Sequence, residues 1–169
     1  GWDLASFGEQ VPSAPIGADG VTVLPFFNGE RVPMLPDATG DFLGLTSLNM
    51  TQANLCRGVM EGATFGLRYG LELLGELAAG TSQIRLIGGG AKSPGWRQMV
   101  ADITNTQVIC PEITDAAALG AAIQAAWCDL QPEGVSLASL CERLVHLDAA
   151  SLAEPDAERV AAYEGAYQR

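Results

Sequence analysis

Residues 84–100, IRLIGGGAKSPGWRQMV, constrain the fold more than any other stretch, because a β-branched run enters three consecutive glycines and leaves through Ser-Pro into an amphipathic helix. This order is that of a strand, a bare-backbone turn and a helix start. Without a Cβ, Gly88, Gly89 and Gly90 are free to adopt φ > 0 and to let a flat or charged ligand lie directly on the main chain. Ser93 is placed to cap the helix with Pro94 in its first turn, which leaves unpaired N–H groups pointed at whatever rests on the glycines. The plainer reading is a turn that packs a helix closely against a sheet. No Gly-Lys-Ser/Thr follows at Walker spacing, and the turn lacks G-x-G-x-x-G.

The segments on either side extend this unit into an α/β chain. Residues 21–27 form a compact apolar run that predicts a strand, and 28–49, with its prolines and glycines, predicts a long ordered loop of the kind that carries function. Thr51 is the expected cap of a helix that ends near Gly80 and aligns Leu55, Val59, Ala63, Leu67, Leu71 and Leu74 in one stripe. The same helix carries Gly58, Gly62, Gly66 and Gly70 at a four-residue interval, and each costs about 1 kcal/mol of helix propensity relative to Ala. Tight packing against the sheet or a neighbouring helix is the expected compensation, with a ligand or partner-domain contact as the alternative.

Beyond the glycine turn, Trp96, Met99, Val100 and Ile103 predict an amphipathic helix and 107–110 a short strand closed by Pro111. Residues 115–127 are apolar nearly all round, so that helix is expected to be buried on most faces, with Asp115 as its cap. A helix starting at Ser136 or Ser139, and a final one from Pro155 that packs Val160, Tyr163 and Tyr167, complete the pattern. Alternating strands and helices imply a sheet with parallel strands.

Composition excludes several classes of function. At 169 residues and 48% hydrophobic, the chain is one domain's length and can bury a core. A net charge of −11 and a pI near 4.3 argue against a nucleic-acid or anionic-membrane surface. No apolar run approaches the ~20 residues that span a bilayer. The chain starts at Gly1 without a secretory pattern and reads as an excised piece. Cys56, Cys110, Cys128 and Cys141 show no C-x-x-C spacing and His146 is the sole histidine, which fits reduced, mostly buried thiols in a cytoplasmic protein better than a metal site.

Two motifs in order carry a resemblance. Gly40, Phe42, Gly44-Leu45, Asn54-Leu55 and Glu61 match the second signature of the FGGY carbohydrate kinases, with Gly58 where that family prefers Ala or Ser. The triple-glycine turn then follows at the right place. The Gly29-Glu30-Arg31-Val32-Pro33 run resembles the Gly-Glu-Arg-Thr-Pro loop of members that act on xylulose, with Met34 where those have His. The likeness covers roughly residues 21–167. It implies an actin-like, ribonuclease H-like α/β fold, over residues 1–169 as the C-terminal lobe of a two-lobe sugar kinase lacking its opening strands, with 1–20 as a loop-rich lead-in. It also implies transfer of the γ-phosphoryl of ATP, with Mg²⁺, to a ketopentose, the N-terminal lobe of the same enzyme being the partner that supplies the catalytic base and most sugar contacts. No catalytic or metal-binding residue is expected on this chain, and its uncovered apolar edge favours self-association.

Under that resemblance Gly89, Gly90 and Ala91 are expected against the adenosine of ATP and Ser93 at its rim, Gly88 serving the turn itself. Lys92, the only lysine in a chain with 20 acidic residues, is either a phosphate or ribose contact or an exposed solubilising residue. Glu30 and Arg31 either help close an interlobe cleft or form a surface ion pair contributing ~0 to 1 kcal/mol. Asp37 and Asp41 are expected to be solvated turn residues and His146 to lie on the surface. The rival readings are another kinase of the family, for ribulose, gluconate, glycerol or a deoxy sugar, and a non-catalytic actin-like module that binds nucleotide or a protein partner.

Overall fold

The computed structural model describes residues 4–169, and side chains from Ser6 onward. Trp2 and Asp3, at the start of the expected lead-in, lie outside the described residues. In the lead-in, α1 (Leu4–Gln10) is followed by two single 3₁₀ turns, Val11–Ser13 and Ala18–Gly20. Pro12 fits the first of these because its missing N–H falls where no intrahelical acceptor exists.

The first strand, β1 (Thr22–Leu24), is shorter than the apolar run that predicts it. Pro25 follows at once and cannot donate to a ladder. The long segment after it is not simply loop, since β2 (Asp41–Leu43) pairs antiparallel with β1, setting Val23 opposite Phe42. Asp41 is therefore an exposed strand residue, whereas Asp37 lies in a turn.

Helix α2 (Gln52–Leu74) begins where Thr51 Oγ1 accepts from the Asn54 N–H at 3.2 Å. It stops at Gly75, whose φ of +50° breaks the helix before the expected end. Its buried face is not the leucine stripe. Ala63, Leu67 and Leu74 are exposed, and the buried residues are Asn54, Cys56, Arg57, Gly58, Glu61, Gly62 and Thr64. Here the glycines decide the packing: a Cβ on Gly58 would stand 3.0 Å from Val23 Cγ2, and one on Gly62 would run into the Val23 carbonyl. Gly66 and Gly70 have open space beside them, so close packing compensates only half of the row.

A polar network fixes the lead-in to this helix. Arg57 Nε donates to Glu61 Oε1 at 2.7 Å, and Nη1 donates to the Ala14 and Val11 carbonyls at 2.8 and 3.2 Å. Its Nη2 donates to Tyr163 Oη at 2.7 Å, and Glu61 Oε1 also accepts from the Gly17 N–H at 3.0 Å. Asn54 Nδ2 adds bonds to Asp19 Oδ2 and the Asn49 carbonyl, both at 3.0 Å. Burial pushes the Glu61 carboxyl upward, opposed by the Gly17 N–H and Arg57.

Strand β3 (Gln83–Arg85), helix α3 (Pro94–Thr104) and β4 (Gln107–Pro111) form the parallel unit expected around the glycines. Asn105, in the left-handed region at φ +48°, ends α3 and turns the chain into β4. Helices α4 (Ala116–Leu130) and α5 (Leu137–Leu144) pack on each other, capped by Asp115 and Ser136. Then β5 (Leu147–Ala153) pairs antiparallel with β4, giving the sheet order β3-β4-β5, and α6 (Ala157–Tyr167) lies on α3.

Two expectations change here. Helix α4 buries only Ile123, because α5 is its principal packing partner among the described elements and its alanine faces away from α5 stay open. Strand β5 was hidden by a sequence, LDAASLA, poor in β-branched and aromatic residues, and its pairing with β4 holds it extended. Two core clusters, one around Cys56, Met99, Ile103 and Tyr163 and one around Val100, Ala101, Val108 and Ala153, flank the α3 side of the sheet, and Trp96 packs against both. Of the four cysteines only Cys56 is buried; Cys110 and Cys141 are half-buried and Cys128 is exposed, so the expectation of mostly buried thiols does not hold.

Candidate functional site

The glycine turn leaves β3 at the carboxyl end of two parallel strands. Leu86 N–H donates to the Ile109 carbonyl at 2.9 Å, so the pairing with β4 continues to the brink of the turn. Gly88 then takes φ +92°, the only positive φ among the three glycines, and is the one the backbone path requires. A 3₁₀ turn over Gly89–Lys92 follows, closed by Ala91 N–H to Gly88 O at 3.2 Å and Ser93 N–H to Gly90 O at 2.9 Å. Gly89 and Gly90 donate neither of these bonds. Ser93 Oγ accepts from the Trp96 N–H at 3.3 Å and so caps α3, with Pro94 in its first turn.

A cleft of about 340 Å³ opens beside the turn. It is lined by Gly88, Ala91, Lys92 and Arg97 of the turn and α3, by the end of β4 and its continuation through Thr114, and by Asp148 and Ser151 of β5. Arg97 Nη1 donates to the Ala91 carbonyl at 2.8 Å, and the Cys110 thiol approaches the same carbonyl at 3.7 Å. A register shift in the β4–β5 ladder between Val108 and Cys110 is bridged by Ser151, whose Oγ accepts from the Cys110 N–H at 2.8 Å and donates to the Asp148 carbonyl at 2.6 Å. Two cations and two carboxylates, Glu112 and Asp148, therefore share one opening. In open α/β sheets such a crevice at the carboxyl ends of parallel strands is where ligands bind.

The expected site residues divide. Ala91 and Lys92 line the cleft, Lys92 exposed and Ala91 buried. Gly89 is exposed with nothing within reach of a Cβ, whereas a Cβ on Gly90 would fall within the Trp96 ring. Ser93 does not line the cleft and spends its hydroxyl on the helix cap. Gly89, Gly90, Glu30 and Arg31 are also absent from its walls. Glu30 and Arg31 do not pair with one another through their side chains: Glu30 Oε1 accepts from the Arg31 and Val32 N–H groups at 2.6 and 3.1 Å. The Val32 and Arg31 amides hold the Glu30 carboxyl below its usual range. His146 is exposed, and its carbonyl accepts from the Glu112 N–H at 3.0 Å.

Arg97, Asp148 and Ser151 were not among the expected site residues. Arg97 could have been found from its place in the first turn of a helix that leaves a glycine loop. The other two could not, because the strand that carries them was not legible. Among the described residues no group of three or more His, Cys, Asp or Glu is placed to hold a metal ion, so no step is assigned to Mg²⁺ through this chain.

Fold and cleft together define an α/β domain with an open cleft where a strand turns into a helix. The family model for the C-terminal domain of the FGGY carbohydrate kinases matches residues 3–128, and the chain belongs to that family. Its fold is accordingly the actin-like, ribonuclease H-like α/β fold of the two-lobe sugar kinases. Xylulose kinase of Haemophilus influenzae is 53% identical over 167 residues, covering 99% of this chain and 33% of that protein. Crystal structures of xylulose kinase and gluconate kinase from Lactobacillus acidophilus superpose with TM-scores of 0.86 and 0.85 at 25% identity, each over 97% of this chain and 32% of theirs. The chain spans about a third of the length of the curated relatives it matches. Among the described residues no helix is long and apolar enough to cross a membrane.

Proposed function

We propose that residues 1–169 are the C-terminal, nucleotide-binding lobe of an ATP-dependent sugar kinase, with 1–20 as its lead-in, and that the whole protein moves the γ-phosphoryl of Mg·ATP to D-xylulose. The observation that carries the nucleotide reading is the glycine turn at the carboxyl ends of β3 and β4, open at Gly89 and bordering a cleft lined by Lys92 and Arg97 as well as Glu112 and Asp148. Gly89, Gly90 and Ala91 supply the main-chain surface for adenosine, and a backbone wall with few side chains suits a flat, mostly apolar base. Lys92 and Arg97 provide the positive charge a polyphosphate requires. Phosphoryl transfer needs positioning and electrostatics more than covalent chemistry. The base for the sugar hydroxyl and most sugar contacts belong to a preceding lobe, with Glu30 and Arg31 facing the cleft between lobes.

The xylulose assignment is supported by the high identity to a xylulose kinase over nearly the whole chain. A gluconate kinase is the second reading, favoured by an almost equal structural likeness. A coupled ADP-release assay on the full-length protein with xylulose, ribulose, gluconate and glycerol separates them. The expected result is the highest kcat/KM with xylulose. A higher kcat/KM with gluconate would reassign the sugar, and no sugar-dependent ADP formation with any of the four would overturn the kinase reading.

A further inference from the structure

We propose that Trp96, held by the buried hydroxyl of Thr64, is the positioning residue that sets the shape of the glycine turn for nucleotide. The inference rests on the reading of that turn as the nucleotide contact and assigns what holds it. A Cβ on Gly90 would lie 2.8 Å from Trp96 Cη2 and closer still to Cε3 and Cζ3. Gly90 has no positive φ, so its identity is explained by the indole beneath it and not by the backbone path or by a ligand. The turn is in effect laid on the ring.

The ring in turn is fixed to a different element. Trp96 Nε1 donates to Thr64 Oγ1 at 2.8 Å, and Thr64, fully buried in α2, donates its own hydroxyl to the Met60 carbonyl at 2.7 Å. The N–H of this half-buried indole finds its acceptor in that hydroxyl. Packing of Trp96 between the two core clusters removes other freedom. The position of Gly90 is therefore referred through Trp96 to the long helix, and the neighbouring Gly89 and Ala91 are held with it.

Thr64→Val tests this in the full-length protein, since valine keeps the shape and removes the acceptor. The KM for ATP should rise roughly tenfold, with the sugar KM within about twofold of wild type, and Thr64→Ser should restore the ATP KM to within about twofold. Trp96→Phe, which removes the donor and keeps a ring, should shift the ATP KM in the same direction. A purely structural role would lower the melting temperature and leave the ATP KM of the folded protein alone. Gly89→Val is the control. If it raises the ATP KM while Thr64→Val and Trp96→Phe leave it unchanged, the positioning role is overturned and the nucleotide site stands. If Gly89→Val also leaves it unchanged, the nucleotide reading itself fails.

Discussion

Arg57 joins three segments that are far apart in the chain: the 3₁₀ turn at Val11–Ser13, helix α2 and Tyr163 of α6. Its side chain and that of Glu61 are 9% and 3% exposed, so neither charge has water to fall back on. Arg57→Ala is expected to cost about 3 to 5 kcal/mol, because it leaves the Glu61 carboxylate buried without its partner, and a denaturant melt measures this directly. Burial also pushes the Tyr163 hydroxyl up to about 12, and Tyr167 likewise, in its case with Glu72 adding to the effect of burial. A phenol whose folded pKa lies above its unfolded value near 10 contributes stability that is complete below pH 10 and lost as pH rises through 12. The melting temperature should therefore fall between about pH 10 and 12, and the Tyr163→Phe, Tyr167→Phe double variant should be less stable at pH 8 but flatter across that window. An unchanged slope in the double variant would remove the tyrosines from the account. Glu61 stood in the sequence as the acidic end of a motif. That it closes on Arg57, four residues earlier, could be suspected from helix spacing, but the carbonyls of Val11 and Ala14 could not.

The two halves of the glycine row in α2 make opposite predictions. Gly62→Ala should destabilise the 169-residue chain, since even a methyl meets the Val23 carbonyl, whereas Gly66→Ala, with nothing within 4 Å, should stabilise it by up to about 1 kcal/mol of helix propensity. Thermal melts compare the pair, and equal effects would mean that α2 does not lie on β1 as described. The interval of four was visible in the sequence, and so was the need for compensation. Which glycines receive it was not, because β1 is only three residues long and crosses one end of the helix. The parallel β3–α3–β4 unit was legible because every local signal agreed: the β-branched run, Gly88 for the turn, Ser93 and Pro94 for the helix start. Strand β5 and the short β2 were not, since their pairing partners hold them extended against weak local preference. The leucine stripe of α2 misled for a related reason: apolar periodicity registers side chains, and this helix packs β1 through the absence of side chains at Gly58 and Gly62.

Large apolar side chains remain uncovered in groups: Phe42, Leu43, Leu45, Leu48 and Met50 after β1, and Leu67, Leu73, Leu74 and Leu77 along and beyond the end of α2. Patches of this kind mark surfaces that meet another part of a protein, in keeping with relatives three times as long. The family was legible from the order and spacing of its signature residues, and in the fold these take structural tasks: Gly44 at φ +74° beside the Gly20 carbonyl, Asn54 joining Asp19 and Asn49, Glu61 on Gly17 and Arg57. The sugar was less legible, because under the proposed function most of its contacts belong to a preceding lobe. Whether the glycine turn faces nucleotide cannot be tested cleanly by Gly90→Val when Trp96 occupies the space. Gly89→Val can test it, because a Cβ there points into open space and the side chain it carries would intrude on a ligand lying on the turn. In steady-state kinetics of the full-length protein, the ATP KM should rise by about tenfold or more with the sugar KM and melting temperature nearly unchanged. An ATP KM equal to wild type in a variant that melts normally would contradict the account.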